Sequence, residues 1–201
     1  MYQFKDLTGL TRVAMGLLCL YVIAKLLMGA GLFYGVEVAG APLSRGLALF
    51  VGFASIADLG ALLLSALLVG CWIYRANANA HALGGDLTIT PGWAVGWYFV
   101  PFACLFKPYM AMKEIWLASH YGSNWGDGEA TGLLGWWWGL WLLNGFLGYG
   151  IVLADEGAPA IGAELTLVSS LITVALTFLL IRIMLQIRDA QKATRHAEVF
   201  A

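Results

Sequence analysis

TPGWAVGWYFVPFACLFKPY, residues Thr90 to Tyr109, is apolar enough to enter a bilayer and too short to cross one comfortably. Prolines bracket and interrupt it at Pro91, Pro101 and Pro108. About 15 residues, Gly92 to Phe106, are free of charge. As a helix they would extend roughly 22 Å, against a hydrocarbon core of about 30 Å. Whether this stretch re-enters or spans decides the side on which everything after it lies.

The rest of the chain explains why a membrane is the setting. Of 201 residues, 61% are hydrophobic and 11% charged, with a mean hydropathy of +0.79. Soluble domains carry about 25% charged residues. Most of the surface therefore does not face water, and the chain reads as one integral membrane domain with no separate soluble module. A net charge of −1 argues against nucleic acid as a partner. Cys19, Cys71 and Cys104 lack CxxC spacing and read as three buried small hydrophobes. The apolar run from Val13 to Tyr34 is longer than a signal-peptide core, and Lys25 interrupts it, so it reads as a retained first span.

Four spans are expected, at about residues 10–34, 46–74, 133–154 and 163–185. A re-entrant segment is expected at 90–107 and an in-plane amphipathic helix at 108–121, giving an all-α membrane protein. The loop from Gly35 to Arg45 and the acidic turn from Asp155 to Gly162 separate helices. The second helix continues as RANANAHALGG, with Gly84-Gly85 as its stop. The tail after Leu185 is polar and basic. On the in-plane helix, Tyr109, Met112, Ile115, Trp116 and Ser119 face one way, and Lys113, Glu114 and His120 elsewhere.

Positive charge orients such a bundle. With a re-entrant segment and both termini cytoplasmic, nine of the eleven basic residues lie inside, Arg45 lies outside and Lys25 is intramembrane. The alternative is five spans. With the N-terminus inside, seven basic residues then lie outside; inverted, seven lie inside and three outside. The re-entrant arrangement has the strongest bias.

Two constellations could carry chemistry. Lys25 and Asp58 are the only charges deep in the first two helices. Antiparallel neighbours would put them at similar depth, roughly 14–18 Å from the loop. An isolated charge there costs about 2.5–3.5 kcal/mol, and pairing reduces that cost. The pair reads as a packing device or as part of a proton or ion path, and Lys25 alone could snorkel. The second constellation lies at one membrane surface. Arg75, Asn77, Asn79 and His81 alternate with alanine, and Trp93, Trp97, Lys107, Tyr109, Lys113 and Trp116 follow. These form either a polar anchor for the backbone of the short segment or a cup for an anionic lipid headgroup or small ligand. His81 and His120 have no cysteine or carboxylate at ligand spacing, so no metal is expected. No cofactor is expected either. There is no G-x-S-x-G, H-E-x-x-H or P-loop, so the expectation is a protein that is not an enzyme.

The order R-x-N-x-N-x-H-x-L-G, then T-P-G-W-A-V-G-W-Y-F-V-P-F, then L-F-K-P-Y and K-E-I-W, closely resembles a bacterial multi-pass membrane family known as a domain of unknown function. The match runs from Arg75 to about Trp116. The resemblance implies an architecture and a bacterial cytoplasmic membrane; it supplies no activity, substrate or catalytic residue. Two functional classes follow. One is a scaffold, sensor or partner subunit with a cytoplasmic-face lipid or small-ligand site, whose partners would be the bilayer and its anionic lipid, and a protein partner or a second copy of the chain. The other is a small transporter or channel-like protein.

The charge bias makes a topology prediction. In intact cells, an impermeant thiol reagent should label Ser44→Cys and spare Ser123→Cys. The reverse pattern would overturn the re-entrant arrangement.

Overall fold

The computed structural model describes residues 2–35, 45–84, 86–155 and 159–200. In chain order the helices are α1 (Thr8–Phe33), α2 (Arg45–Ala82), α3 (Pro91–Gly96), α4 (Lys107–Tyr121), α5 (Gly132–Asp155) and α6 (Pro159–Phe200). Short 3-10 turns occupy Trp97–Phe99, Ala103–Leu105 and Gly122–Asp127. No strand occurs among the described residues. The fold is all-α. Four helices are long and apolar enough to cross a membrane: α1, and the stretches Ala48–Ala82, Gly132–Ala154 and Ile161–Ala197 of α2, α5 and α6. The expected Gly35–Arg45 loop and Asp155–Gly162 turn fall largely on residues 36–44 and 156–158, outside the described residues, as does Gly85.

Local chemistry sets the ends of these helices. Asp6 accepts from the Thr8 amide at 3.1 Å and the Thr8 hydroxyl at 2.8 Å, at the start of α1. The Thr8 hydroxyl, with help from its amide and Lys192, holds the Asp6 carboxyl below its ordinary range. Pro91 opens α3 and Pro108 the first turn of α4, where their missing N–H groups cost nothing. α2 ends as Leu83 N–H reaches Asn79 O at 2.9 Å and Gly84 turns to a φ of +81°, which glycine adopts without strain.

α6 is longer than its apolar content suggests. The sequence places a span at 163–185 and a polar tail beyond it; the helix continues to Phe200. The reason is a second buried stripe, Leu180, Ile183, Met184, Ile187 and Gln191, at spacings of three and four. The cysteines also differ from expectation. Cys19 and Cys71 are exposed and Cys104 partly so. The outer face of an apolar helix meets lipid, so a small apolar thiol has no need of a protein interior.

The chain forms two compact units. The first comprises Met1–Met15, Leu67–Trp138 and Leu179–Ala201. Its interior resembles that of a water-soluble domain: Trp72, Ala76, Ala80, Ala94, Met112, Ile115, Leu134, Ile183, Met184 and Ile187 are all essentially inaccessible. The Trp72 indole donates to the Thr11 hydroxyl at 2.9 Å.

The second unit comprises Gly16–Ala66 and Gly139–Phe178. It is held by small and polar contacts. A Cβ on Gly29 would lie 2.5 Å from Ser170 Oγ, so glycine is what lets α1 approach α6 here. Ser170 also donates to Lys25 O at 3.1 Å, and Ser169 to Asn144 Oδ1 at 2.8 Å. Outside, Phe53, Ile56, Leu63, Phe146, Tyr149, Val152 and Phe178 are all more than half exposed. A water-facing unit would place such residues inside.

Lys25 and Asp58 meet in this second unit. The ammonium lies 3.5 Å from Asp58 Oδ2, with both side chains mostly buried. Removing one member of a buried pair costs about 3–5 kcal/mol, while replacing both with apolar residues is often tolerated. Melting in detergent should therefore fall for Lys25→Met or Asp58→Leu and recover in the double variant. Additive losses would show that the charges do not support each other.

Candidate functional site

All the residues of the expected surface constellation belong to the first unit, but they divide into interior and surface. Asn77 and Asn79 are completely buried. The Asn79 carboxamide clasps the backbone of Lys5 on both sides. Its Oδ1 accepts from Lys5 N at 2.9 Å and its Nδ2 donates to Lys5 O at 2.8 Å. The same Nδ2 donates to Gln191 Oε1 at 3.0 Å. Gln191, 1% exposed, in turn donates to Ala76 O at 2.9 Å and Ser119 Oγ at 3.0 Å. The Ser119 hydroxyl donates to Ile115 O at 2.6 Å. The N-terminal segment, α2, α4 and α6 are thus joined by a continuous buried network.

A second set fixes the backbone leading into the short segment. Asn77 Nδ2 donates to Ile89 O at 3.0 Å, and His81 Nε2 lies 3.4 Å from the same carbonyl. Glu114 is buried; its carboxylate accepts from the Thr88 hydroxyl and, at 3.0 Å, from the Ile89 amide. Glu114 is therefore not a surface charge on α4, because the amides and hydroxyls of residues 88–89 need an acceptor. The Tyr2 ring lies 5.1 Å from that of His81.

The other candidates, apart from the buried Trp116, stay near the surface. Trp93 and Trp97 form a tilted pair at 4.5 Å, and Lys107 Nζ stands 5.6 Å above the Trp97 ring. Arg75 and Tyr109 are half-buried and Lys113 is exposed. Trp116 is 9% exposed and stacks on His120 at 3.9 Å. The stretch between α3 and α4 has exposed tips: Trp93 at 52%, Phe99 at 83%, Phe102 at 82% and Phe106 at 51%. Its backbone is largely paired within itself. Cys104 N–H reaches Val100 O at 2.9 Å, and Leu105 N–H reaches Phe102 O at 3.1 Å. Trp138 donates to Leu105 O at 3.0 Å from outside it. Phe102 has a φ of +61°, a region that bulky residues rarely adopt.

The sequence missed Gln191, Ser119 and the acceptor role of Glu114. Gln191 lay in a stretch read as tail. Its signal was the stripe Ile183, Ile187, Gln191, which continues the helical period past the last span.

These features define an all-helical protein with four helices suited to crossing a membrane and a compact unit whose apolar interior carries a buried polar network. Residues 42–189 match the family described as Domain of unknown function (DUF4328), and the chain belongs to that family. The run from Arg75 to Trp116 lies within the matched residues. No curated protein and no solved structure matches the chain.

The network makes a stability prediction. Gln191→Leu keeps the side chain's bulk but removes the bonds to Ala76 O, Ser119 Oγ and Asn79 Nδ2. Each lost bond contributes about 0.5–1.5 kcal/mol. Thermal unfolding in detergent should show a clear loss for Gln191→Leu. Lys192→Ala should change it little, since exposed pairs such as Lys192–Asp6, at 3.7 Å, contribute about 0–1 kcal/mol. Equal melting of Gln191→Leu and the parent would remove the network from any account of stability.

Proposed function

We propose that the protein is a non-enzymatic component of the bacterial cytoplasmic membrane, with both termini cytoplasmic, acting as a scaffold, sensor or partner subunit that binds anionic lipid at its inner surface. The observation that carries this reading is the stretch from Trp93 to Lys107. Its exposed rings point away from the protein, and Lys107 lies against Trp97 at its end. Large apolar tips followed by an aromatic-backed cation suit a segment that dips into the bilayer and returns, with Lys107 at headgroup level.

The local backbone pairing supports re-entry. Irregular backbone is tolerated at membrane depth only where its polar groups find partners. Here turns and Trp138 supply them. With Asn77 and Asn79 occupied in the interior, the lipid-facing set reduces to Arg75, Trp93, Trp97, Lys107, Tyr109 and Lys113. α4 then lies along the interface, with Met110 and Lys113 outward.

A small transporter or channel-like protein is the second reading. It draws on Lys25 and Asp58, whose Oδ1 is buried without a hydrogen-bond partner among the described residues.

Arg75→Ala combined with Lys107→Ala should lower the anionic lipid that co-purifies, as phosphate per protein or by native mass spectrometry, while the fold survives. Each surface cation contributes about 1 kcal/mol, so the pair should weaken binding roughly tenfold or more. Unchanged lipid with a lower melting temperature would leave these residues a structural role alone. Ion flux in proteoliposomes that Asp58→Asn abolishes would move the assignment to the second reading.

A further inference from the structure

Away from Lys107, α4 and α6 enclose a groove of about 610 Å³ within the first unit. Trp116 and His120 form one wall. Arg182, Leu185, Gln186, Asp189, Ala190 and Ala193 form the other. The α6 residues recur at spacings of three and four, so one helix face supplies them all.

Two buried polar atoms in these walls have no partner among the described residues: the Trp116 indole Nε1, a donor, and Gln186 Oε1, an acceptor. A buried polar group without a partner is costly, and a ligand that satisfies both gains from it. His120 Nδ1 lies 2.7 Å from Trp116 O. The carbonyl can only accept, so Nδ1 carries the hydrogen and the ring is fixed in its stack on Trp116.

Charge is ordered along the groove. Residues 165–181 of α6 carry no charge, and Arg182 is the first charge after them. Asp189 follows two turns later, about 10 Å along the axis. Its carboxylate takes two hydrogen bonds from Arg188, at 2.7 and 2.9 Å, which leaves acceptor capacity on both oxygens. The cation thus lies beside the apolar run and the carboxylate lies farther from it.

We propose that this groove binds the headgroup of a phospholipid carrying a primary ammonium, a phosphoethanolamine-type zwitterion. The phosphate, next to the acyl chains, accepts from Arg182 and from Trp116 Nε1 after small side-chain adjustments. The ammonium, farther into water, donates to Gln186 Oε1 and Asp189. Leu185 and Ala190 cover the carbon atoms between. A choline headgroup has no N–H to offer Gln186, and a glycerol headgroup has no cation for Asp189. The site is distinct from the Lys107 surface but rests on the same reading of a protein at the inner leaflet.

The test is a titration of the purified, delipidated full chain in detergent with short-chain phosphatidylethanolamine, phosphatidylcholine and phosphatidylglycerol of matched acyl length, followed by native mass spectrometry. Free phosphoethanolamine, as a competitor, separates headgroup recognition from acyl-chain adsorption. The ethanolamine lipid should bind most tightly and be displaced by the free headgroup. Arg182→Gln should weaken it about fivefold or more, with Arg182→Lys retaining part of the affinity. Asp189→Asn should remove the preference for ethanolamine over glycerol while leaving phosphate binding. Equal affinity for the three lipids, or affinity untouched by both substitutions, overturns the proposal. Should Arg182→Gln fail to fold, the selectivity of Asp189→Asn still decides. Lys107→Ala should leave ethanolamine-lipid binding unchanged, so loss of the Lys107 surface and loss of the groove are told apart.

Discussion

The Asn79 carboxamide is the contact on which the first unit depends. One side chain closes a two-sided hydrogen-bonded pair with Lys5 and passes a further bond to Gln191. Segments 74 and 112 residues apart in sequence are thereby fixed to one point on α2. An amide can do this because it carries both an acceptor and a donor in one plane. Aspartate would present two acceptors, and leucine none. The alanines at 76, 78 and 80 are the other half of the arrangement, since all are buried and let neighbouring elements come close enough for the amide to reach.

The same helix shows the constraint that a bilayer imposes. Along α2, Leu49, Phe53, Ile56, Leu63 and Leu67 are more than half exposed, whereas Asn77 and Asn79 are not exposed at all. In water this ordering would be inverted. It follows when apolar side chains have lipid as solvent and gain little from burial against protein. Polar groups, by contrast, need partners wherever water is excluded. Packing in the second unit accordingly relies on close approach at Gly29 and on hydroxyl and amide contacts among Ser169, Ser170 and Asn144.

Much of the helical order was legible in the sequence, because spans announce themselves by apolar length and α2 by its glycine stop. The contact of Lys25 with Asp58 was legible too, from matched depth and the cost of leaving either alone. The division of the polar constellation was not. R-x-N-x-N-x-H gives spacing and faces, but whether a face meets water or another helix depends on α6, whose last turns carry lysine and arginine and read as tail. Glu114 misled for a related reason. A carboxylate on a surface helix is normally solvated, and only the unpaired backbone at residues 88–89, a tertiary feature, makes its burial favourable. The groove walled by Trp116 and Gln186 combines residues some 70 positions apart, which no local pattern brings together.

Magnitudes also bear on why Phe102 can hold a positive φ. A bulky residue in that region costs about 1–3 kcal/mol unless its surroundings impose it. Little of the protein surrounds Phe102, whose side chain is 82% exposed, as is that of Phe99 to a similar degree. Transfer of a phenylalanine side chain from water to an apolar phase returns about 1.5–3 kcal/mol. In water the strained turn would cost free energy with nothing to offset it, and two large rings would add an exposed apolar patch. In the acyl region the two rings together offset the strain, and Pro101, by fixing its own φ, reduces the entropy lost in forming the turn. The tip is therefore of a piece with the rest of the chain, whose exposed apolar side chains likewise favour an apolar solvent.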